Sequence, residues 1–408
     1  MPAENANRGH GFDLQQRLQR RDAAGLRRDL QPIESVESRT RLAPDPEGGV
    51  PDFESEAATE TLVFAANDYL GLAGDSRLVD ATAETARDVG VGAGASRLVV
   101  GDTPSHRRLE RSLATRKGTD RAVVFSSGYA ANVGTITALD PDVVFSDERN
   151  HASIIDGCRL SGADVEIFDH CSVPDLRQAM TRRRQRSTDA ESWLVVTDSV
   201  FSMDGDVAPL AEICAAAEEH GAWVMVDEAH ATGVYDGGIV GERGLEDRVH
   251  VQLGTLSKAL GAQGGFVAGP ESLVEHLVNA ARSFVFSTGL APPLARAADE
   301  ALTIARETDR PERLQEKAAY LRDGLTDLGF EVLGETHILP VLVGDRRDAV
   351  ALADGLREQG VLAPAIRPPT VDEGTARIRV APTATHSREA LDQCLAAFEA
   401  AGTEVGVR

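Results

Sequence analysis

Seven short apolar runs, separated by segments of helix length, constrain the fold of this 408-residue chain more than any other feature. They lie between residues 122 and 269 and read, in chain order, AVVFSS, DVVFSD, DVEIF, WLVVTDSV, WVMVDEAH, VHVQLGTL and GGFVAG. Runs that are apolar at nearly every position are typical of strands buried on both faces, and strands that alternate with helices form mostly parallel sheets. The sequence therefore predicts an α/β fold with a seven-stranded, mostly parallel sheet covered by helices on both faces.

The segments on either side of these runs predict two further parts. Residues 1–61 form an N-terminal arm, with an Arg-rich helical segment (LQQRLQRRDAAGLRRDL) and then a turn-rich or flexible connection (APDPEGGVPDFESEAATE). We assign residues 62–299 to the large domain. From residue 300 onward, helical stretches such as PERLQEKAAYLRDGLTDLG surround the short strands HILPVLVG and ARIRVAP. This pattern predicts a smaller α+β domain over residues 300–408.

Composition limits the classes of protein to which the chain can belong. A hydrophobic content of 42% suits a large buried core, and no apolar run approaches 18 residues. The N-terminal sequence has neither the apolar core of a signal peptide nor the acid-free composition of a transit peptide, so we expect a soluble, cytoplasmic protein. The four cysteines are scattered without metal-ligand spacing. We interpret them as reduced, mostly buried thiols and expect no metal site.

The charge balance is strongly acidic. Lysine and arginine total 42 against 65 aspartates and glutamates, a net charge of −23. This balance argues against nucleic acid or an anionic membrane as a partner. Only three of the basic residues are lysines. An acidic, lysine-poor surface suits a saline (halophilic) cytoplasm, and an ordinary acidic enzyme is the alternative.

Candidate site residues follow the apolar runs, because ligands of open α/β sheets bind beyond the carboxyl ends of the strands. Gly128 and Tyr129 open a helix after the first run, a place that suits a phosphate or simply caps the helix. His151 precedes the next helix and could be a capping or surface histidine. Ser202 lies in a loop that could be only a turn.

A carboxylate and a lysine follow two later runs. Asp227 comes directly after WVMV and His230 three residues later, and a buried carboxylate requires a cation or donor. Lys258 lies 31 residues beyond Asp227, so the two could face one crevice. A structural ion pair is one interpretation. Pyridoxal phosphate is the other, since it requires a lysine, a carboxylate for the ring nitrogen, a flat group over the ring and phosphate donors.

The order of motifs resembles the α-oxoamine synthase family of fold-type I pyridoxal-phosphate enzymes. The resemblance runs from NDYLGL (67–72) through nearly the whole chain, with the later motifs GAGASRLVVGDTPSHRRLE, SSGYAAN, NHASIIDG, FSMDGDVAPL, VDEAHATG, TLSKALG and RIRV. It implies that Lys258 carries the cofactor as a Schiff base, that Asp227 binds the pyridine nitrogen and that His151 stacks on the ring. It further implies that Asn67 and Arg379 bind the carboxylate of the amino acid. The remaining cofactor contacts that it implies are made by His230, Ser202, Gly128, Tyr129, Thr255 and the partner subunit's Thr288.

The resemblance also implies substrates and an obligate homodimer. The segment IRPPTV is similar to the branch of the family that joins L-alanine to pimeloyl-CoA or pimeloyl-acyl carrier protein in biotin synthesis. Thr370 and Arg27 fall at the acyl-substrate positions of that branch. Glu228 departs from its usual Asp-Asp-Ala, and NHASIIDGCRLSGA equally fits the branch that joins glycine to acetyl-CoA, which is the alternative.

The sequence disfavours two other classes of protein, a non-catalytic partner subunit and a nucleotide-binding dehydrogenase. A non-catalytic partner subunit would lack the Schiff-base lysine, and Lys258 is present. A nucleotide-binding dehydrogenase is suggested by GVGAGAS (90–96), but a dinucleotide-binding loop of that type follows a strand. The preceding segment ATAETARDV predicts a helix instead.

Overall fold

The chain folds as two compact units in a computed structural model that describes residues 11–23, 26–27, 30–44, 49–187 and 190–407. One unit comprises residues 1–34 and 41–59, and the other residues 35–40 and 60–408. The first unit contains helix α1 (Leu14–Ala23), and turns follow at residues 53–57. The helix is shorter than the predicted helical segment, since Leu26 and Arg27 are not helical. The glycine at position 25 of the sequence has low helix propensity. Residues 45–48 of the predicted connection lie outside the described residues.

A seven-stranded sheet forms the centre of the second unit, with strand order β3-β9-β8-β7-β6-β4-β5. Strand β9 runs antiparallel to both of its neighbours, and the other pairs are parallel. The seven strands are β3 (Arg121–Phe125), β4 (Val143–Asp147), β5 (Asp164–Phe168), β6 (Trp193–Asp198), β7 (Trp223–Asp227), β8 (Val251–Thr255) and β9 (Gly265–Gly269). These are the seven apolar runs, and the predicted fold class is confirmed.

The apolar runs are explained by burial on both faces of the sheet. Val143 and Phe145 of β4 pack in the core on one face, while Val144 packs in the core on the other, and all three are fully buried. Successive side chains of a strand point to opposite faces, so a sheet with two covered faces leaves few positions for polar residues. The polar side chains are therefore concentrated where the strands end.

The glycine-rich segment GVGAGAS follows helix α2 (Ser76–Asp88), as predicted, and not a strand.

Thirteen described helices belong to the second unit. The helices are α2 (Ser76–Asp88), α3 (Pro104–Arg116), α4 (Gly128–Leu139), α5 (Ala152–Ser161), α6 (Val173–Arg184), α7 (Leu210–Glu218), α8 (Gly238–Glu242), α9 (Glu271–Ala280), α10 (Arg282–Val285), α11 (Pro292–Glu307), α12 (Arg310–Asp327), α13 (Arg346–Glu358) and α14 (Arg388–Val405).

A second core lies in the C-terminal part of the chain. Its sheet has the order β10-β11-β14-β13, and strand β2 pairs in parallel with β12. Leu62 and Phe64, in the segment predicted as the start of the large domain, pack in this second core. The predicted boundary between residues 299 and 300 lies within α11, and the domain division stays a prediction. The remaining strands are β1 (Arg39–Leu42), β2 (Thr59–Val63), β10 (Glu331–Val332), β11 (Leu339–Gly344), β12 (Val361–Leu362), β13 (Ala365–Ile366) and β14 (Ala376–Val380).

Among the described residues, every helix is too short or too polar to cross a lipid bilayer.

Candidate active site

Two buried carboxylates lie at the carboxyl ends of neighbouring parallel strands. Asp198 ends β6 and Asp227 ends β7, and the two are paired in register. Asn132 of α4 donates from Nδ2 to Oδ2 of Asp227 over 2.7 Å, and the backbone N–H of Ala229 donates to Oδ1 over 2.8 Å. Asp227 is thus held by one contact on each oxygen, as a buried carboxylate requires.

Lys258 follows β8 and contacts a histidine. Its Nζ lies 2.8 Å from Nε2 of His230, and Nδ1 of the same ring lies 2.6 Å from the hydroxyl of Tyr69. Tyr69 is fully buried and His230 is 6% exposed. The lysine amine, the imidazole and the phenol therefore form one continuous chain of polar contacts.

The guanidinium of Arg379 connects these polar contacts to the side-chain amide of Asn67. Arg379 of β14 donates from Nη2 to both Oδ1 of Asn67 (2.8 Å) and the hydroxyl of Tyr69 (3.0 Å), and its Nε donates to the backbone carbonyl of Ser202 (2.8 Å). Among the described residues, Nη1 of Arg379 has no hydrogen-bond partner. The structure thus brings Asn67, Ser202, His230, Lys258 and Arg379 into one cluster.

His151 is fixed at the start of helix α5. Its Nδ1 accepts from the backbone N–H of Ser153 (3.2 Å) and lies 2.7 Å from the Ser153 hydroxyl. The backbone N–H of His151 donates to Oδ2 of Asp198 (3.0 Å). The Ser153 hydroxyl also accepts from Asn132, the residue that holds Asp227. Hydrogen bonds therefore connect the imidazole to Asp227 through Ser153 and Asn132, while the backbone of His151 contacts Asp198.

The N-terminus of helix α4 forms a cradle of small residues and hydroxyls. Ser127 caps the helix, its Oγ accepting from Ala130 over 3.0 Å, and the first N–H groups of a helix have no partner within the helix. A Cβ on Gly265 would lie 2.5 Å from the backbone nitrogen of Gly128. The Thr255 hydroxyl lies 2.8 Å from that of Ser257. This end of the site combines a helix dipole with hydroxyl donors, which suits an anion.

Burial shapes the electrostatics of the cluster. Loss of hydration lowers the pKa of Lys258 to about 8, although the negative charges of Asp227 and Asp198 act in the opposite direction. Burial also holds the pKa of His230 well below its ordinary value, helped by the positive charges of Lys258 and Arg379. The imidazole is therefore neutral at physiological pH, and the amine of Lys258 loses its proton more readily than that of an ordinary lysine.

Four of the predicted site residues lie outside these contacts. Tyr129 is half exposed and its hydroxyl donates to Asp156 over 2.6 Å. Thr288 and Thr370 are exposed, and Thr370 lines a cavity of about 300 Å³ together with Ser202. Arg27 belongs to the first unit, where its guanidinium lies 4.0 Å from the Asp22 carboxylate. The roles assigned to these four residues stay predictions.

Several residues of the cluster were not predicted from the sequence. Asp198 ends the apolar run WLVVTD just as Asp227 ends WVMVD, so the same signal indicates both. Tyr69 lies in the motif NDYLGL, but its buried hydroxyl gives no sequence signal of its own. His337 is fully buried with its ring 4.2 Å from that of Tyr69, and neither ring nitrogen has a hydrogen-bond partner among the described residues. Asn132 lies within helix α4, and from the sequence alone a polar residue in a helix is expected to be exposed on the surface.

Comparison with known proteins agrees with this arrangement. The family profile described as aminotransferase class I and II matches residues 59–398. An 8-amino-7-oxononanoate synthase of Symbiobacterium thermophilum is 46% identical over 85% of this chain and 90% of its own length, and one of Anaeromyxobacter dehalogenans is 46% identical over 94% of each. A serine palmitoyltransferase from S. paucimobilis, solved with a bound pyridoxal phosphate–myriocin aldimine, superposes with a TM-score of 0.87 at 31% identity, covering 97% of this chain and 98% of its own.

The chain belongs to the aminotransferase class I and II family, the fold-type I enzymes that use pyridoxal phosphate. Its sequence relatives place it among the α-oxoamine synthases of that family, beside the 8-amino-7-oxononanoate synthases. The prediction of a pyridoxal-phosphate-dependent acyltransferase is thus confirmed.

The residues present fit this cofactor. The buried carboxylate of Asp227 matches a protonated ring nitrogen, and the amine of Lys258 matches the aldehyde. The glycine-lined N-terminus of α4 leaves space for a phosphate, because Gly128 and Gly265 carry no side chain where their backbones approach. The fit thus rests on the chemistry of Asp227 and Lys258 and on the space beside the N-terminus of α4.

Proposed function

We propose that this chain condenses L-alanine with a pimeloyl thioester, releasing CO₂ and the carrier thiol and leaving 8-amino-7-oxononanoate. The observation that carries the proposal is the 46% identity, over 94% of both chains, to a curated 8-amino-7-oxononanoate synthase. The segment IRPPTV, similar to the same branch, lies beside the Ser202 loop in the 300 Å³ cavity. The carrier is either CoA or an acyl carrier protein.

The cofactor, when bound, supplies an aldehyde that condenses with amines and a ring that takes up the electrons released at the substrate Cα. We assign Asp227 to keep the ring nitrogen protonated and His151 to pack over the ring. The hydrogen bonds from Asn132 and Ala229 orient the Asp227 carboxylate for this task. The α4 N-terminus, with Gly128, Tyr129 and Thr255, holds the phosphate in this proposal.

Lys258 is the proposed base that removes the Cα proton of the amino acid. A general base works best when its pKa lies near the operating pH, and burial brings the pKa of Lys258 to about 8. His230 lies 2.8 Å away and holds the amine in one position. This contact restricts the direction from which the amine can approach a substrate.

Arg379 and Asn67 are the proposed carboxylate site for the amino acid. A guanidinium is suited to this role because its charged N–H groups donate strong hydrogen bonds to a carboxylate. Three contacts to Asn67, Tyr69 and the Ser202 carbonyl fix the plane of Arg379, while Nη1 remains available. The preorganised fork reduces the entropy lost when alanine binds.

A homodimer with a shared active site is part of the proposal. An apolar patch, formed by Leu98, Val99, Val100 and Phe286, is exposed, with Val99 and Phe286 each 72% exposed. Its two segments are joined by a hydrogen bond from Gly289 to the Ala95 carbonyl, next to Thr288. We propose that the patch packs against a second copy, so that the partner's Thr288 reaches the phosphate. Light scattering tests this, with Val99→Asp expected to yield monomer.

The decisive experiment measures release of free thiol by the cofactor-loaded protein, with L-alanine or glycine crossed against pimeloyl-CoA or acetyl-CoA. The assays run in parallel at low and high salt, because the net charge of −23 suggests a saline cytoplasm. Release only with L-alanine and pimeloyl-CoA supports the proposal. Release mainly with glycine and acetyl-CoA would assign the chain to glycine C-acetyltransferase activity instead.

A further inference from the structure

The hydroxyl of Tyr69 has three neighbours and only one proton to give. Arg379 can only donate, so it occupies a lone pair of the Tyr69 oxygen over 3.0 Å. The phenol proton then goes either to Oδ1 of Asn67, 3.0 Å away, or to Nδ1 of His230, 2.6 Å away. The choice between these acceptors determines which nitrogen of His230 carries its proton.

The distances favour His230 as the acceptor. A separation of 2.6 Å lies within the usual range for a hydroxyl donor but below the range of about 2.7–3.2 Å for an N–H donor. Asn67 Oδ1 already accepts from Arg379 over 2.8 Å, so it does not depend on the phenol. Tyr69 therefore donates to Nδ1, which leaves the proton of the neutral imidazole on Nε2.

The Nε2 proton points at Lys258, whose Nζ is 2.8 Å away. A neutral amine accepts this hydrogen bond through its lone pair, whereas a protonated ammonium has only donors. We propose that Tyr69 is a positioning residue: set by Arg379, it fixes His230 as the Nε2–H tautomer and thereby stabilises Lys258 as the free amine. The relay couples the proposed carboxylate site to the basicity of Lys258.

Other groups around Lys258 do not replace this effect. The charged and titratable side chains that act on its amine or are acted on by it are Asp198, Asp227, His151, His230, His337 and Arg379. The two carboxylates favour the ammonium and Arg379 favours the free amine. Among these groups within the described residues, only His230 lies within hydrogen-bond distance of Nζ, so its tautomer determines whether Nε2 donates or accepts at that contact.

The inference rests on the proposed function in taking Lys258 as the Schiff-base lysine and Arg379 as the carboxylate site for L-alanine, and its test uses no acyl thioester. Tyr69→Phe keeps the ring that packs edge-on against His337 and removes the hydroxyl. Tyr235→Phe is the matched control, because Tyr235 is a partly buried tyrosine that also lies near His337, with ring centroids 6.1 Å apart. Both variants are loaded with pyridoxal phosphate, and their visible absorbance is titrated with pH without substrate.

For Tyr69→Phe we expect the absorbance midpoint, which reports protonation of the Lys258 nitrogen in its Schiff base with the cofactor, to rise by about one pH unit, a tenfold change in proton affinity. The unprotonated Schiff-base nitrogen keeps a lone pair that accepts the same hydrogen bond from Nε2–H of His230. We also expect the dissociation constant of L-alanine to increase about threefold to tenfold, because Arg379 loses an acceptor that fixes its plane. Tyr235→Phe should match the wild type in both. A Tyr69→Phe protein that titrates and binds alanine like the control would overturn the proposal.

A second measurement does not require either variant to load cofactor. Nitrogen-15 NMR of the histidine rings in the wild-type apoprotein distinguishes the two neutral tautomers, and a His230→Gln spectrum assigns the signal. The proposal requires a protonated Nε2 and a bare Nδ1 on His230. The opposite tautomer would refute it even if thiol release with alanine and pimeloyl-CoA supports the proposed reaction.

Discussion

Asp198 and Asp227 are register partners on the adjacent parallel strands β6 and β7, and both side chains are buried. Burial raises the pKa of Asp198 well above its ordinary value, and the negative charge of Asp227 adds to the rise. Two like charges so placed cannot both ionise easily. We therefore propose a division of roles, with Asp198 as a neutral acceptor for the backbone N–H of His151 and Asp227 as the charged partner of the cofactor ring.

This division predicts opposite outcomes for the same substitution. Asp198→Asn preserves an uncharged acceptor for the His151 N–H, so activity should remain within about threefold of wild type. Asp227→Asn removes the charge proposed to keep the ring nitrogen of the cofactor protonated, so turnover should fall by at least about 100-fold. Steady-state rates of the two variants, with cofactor occupancy measured by absorbance, provide the comparison. Equal losses would refute the assignment.

Lys258→Ala is expected to lower thiol release by at least about 1000-fold while leaving the fold intact, because a single essential group is lost. Lys317→Ala is the control, since Lys317 donates to the Ala384 carbonyl outside the cluster. Reduction of the loaded wild type with borohydride, followed by peptide mapping, should place the label on Lys258. A label elsewhere would contradict the role proposed for this lysine.

Arg379→Lys retains a positive charge but loses the planar fork that contacts Asn67, Tyr69 and the Ser202 carbonyl. We expect the KM for L-alanine to rise about 10- to 100-fold, the equivalent of losing one or two charge-assisted hydrogen bonds, with a smaller change in kcat. Arg322→Lys is the matched control, since Arg322 also donates to backbone carbonyls but in another part of the fold. Its alanine KM should be unchanged.

His170 predicts a pH dependence of stability. Burial opposes its charge, but hydrogen bonds to Asp147 (3.0 Å) and Asp206 (2.8 Å) raise the pKa of His170 to about 12. A histidine has an ordinary pKa of about 6.5 when unfolded. Since the folded value is the higher one, the stabilisation is complete below pH 6.5 and declines as the pH rises towards 12.

Urea unfolding at pH 6 and pH 9 tests this sign. The wild type should lose stability over that interval relative to His170→Gln, which should itself be less stable at pH 6 by about 2–4 kcal/mol. His276→Gln serves as control, because His276 contacts only the Ala138 carbonyl by hydrogen bond within the described residues. An identical pH profile for the wild type and His170→Gln would contradict the pairing.

Glu228, the residue that departs from Asp-Asp-Ala, forms a buried ion pair with Lys117. Both side chains are buried, Lys117 Nζ donates to Oε2 of Glu228, and the Val240 N–H donates to Oε1 over 2.9 Å. Lys117→Met should destabilise the protein by about 3–5 kcal/mol, because it leaves a buried carboxylate unpaired. The double variant with Glu228→Gln should recover part of this loss. Denaturant midpoints of the three proteins measure the coupling, and additive losses would argue against it.

The central sheet could be predicted from the sequence because its signal is local. Each apolar run carries the composition of a strand with two covered faces, and Asp227 and Lys258 stand where such strands end. The short strands β2 and β12 carried no such signal. They pair through only two residues of each strand, starting at Val361 and Leu62, and this pairing depends on how distant segments pack. That pairing explains why residues near the start of the second unit lie in the C-terminal core.

The relay through Tyr69 could not be predicted for a related reason. Its contacts join residues separated by 161 and 310 positions in the chain, and neither spacing leaves a periodic pattern. A tyrosine beside apolar residues reads as core, and Tyr69 is indeed fully buried. Only its hydroxyl, placed between His230 and Arg379, distinguishes it from a packing residue.

The burial of Lys117 and the contacts of Lys258 and Lys317 have a chemical consequence. The amines of Lys117 and Lys317 are engaged by Glu228 and the Ala384 carbonyl, Lys258 is the proposed cofactor lysine, and all other basic side chains except histidine are arginines. Acyl thioesters react spontaneously with free amines, whereas guanidinium groups resist acylation. An enzyme that handles such thioesters, as proposed here, thus carries its positive surface charge in a form that its own substrate does not modify.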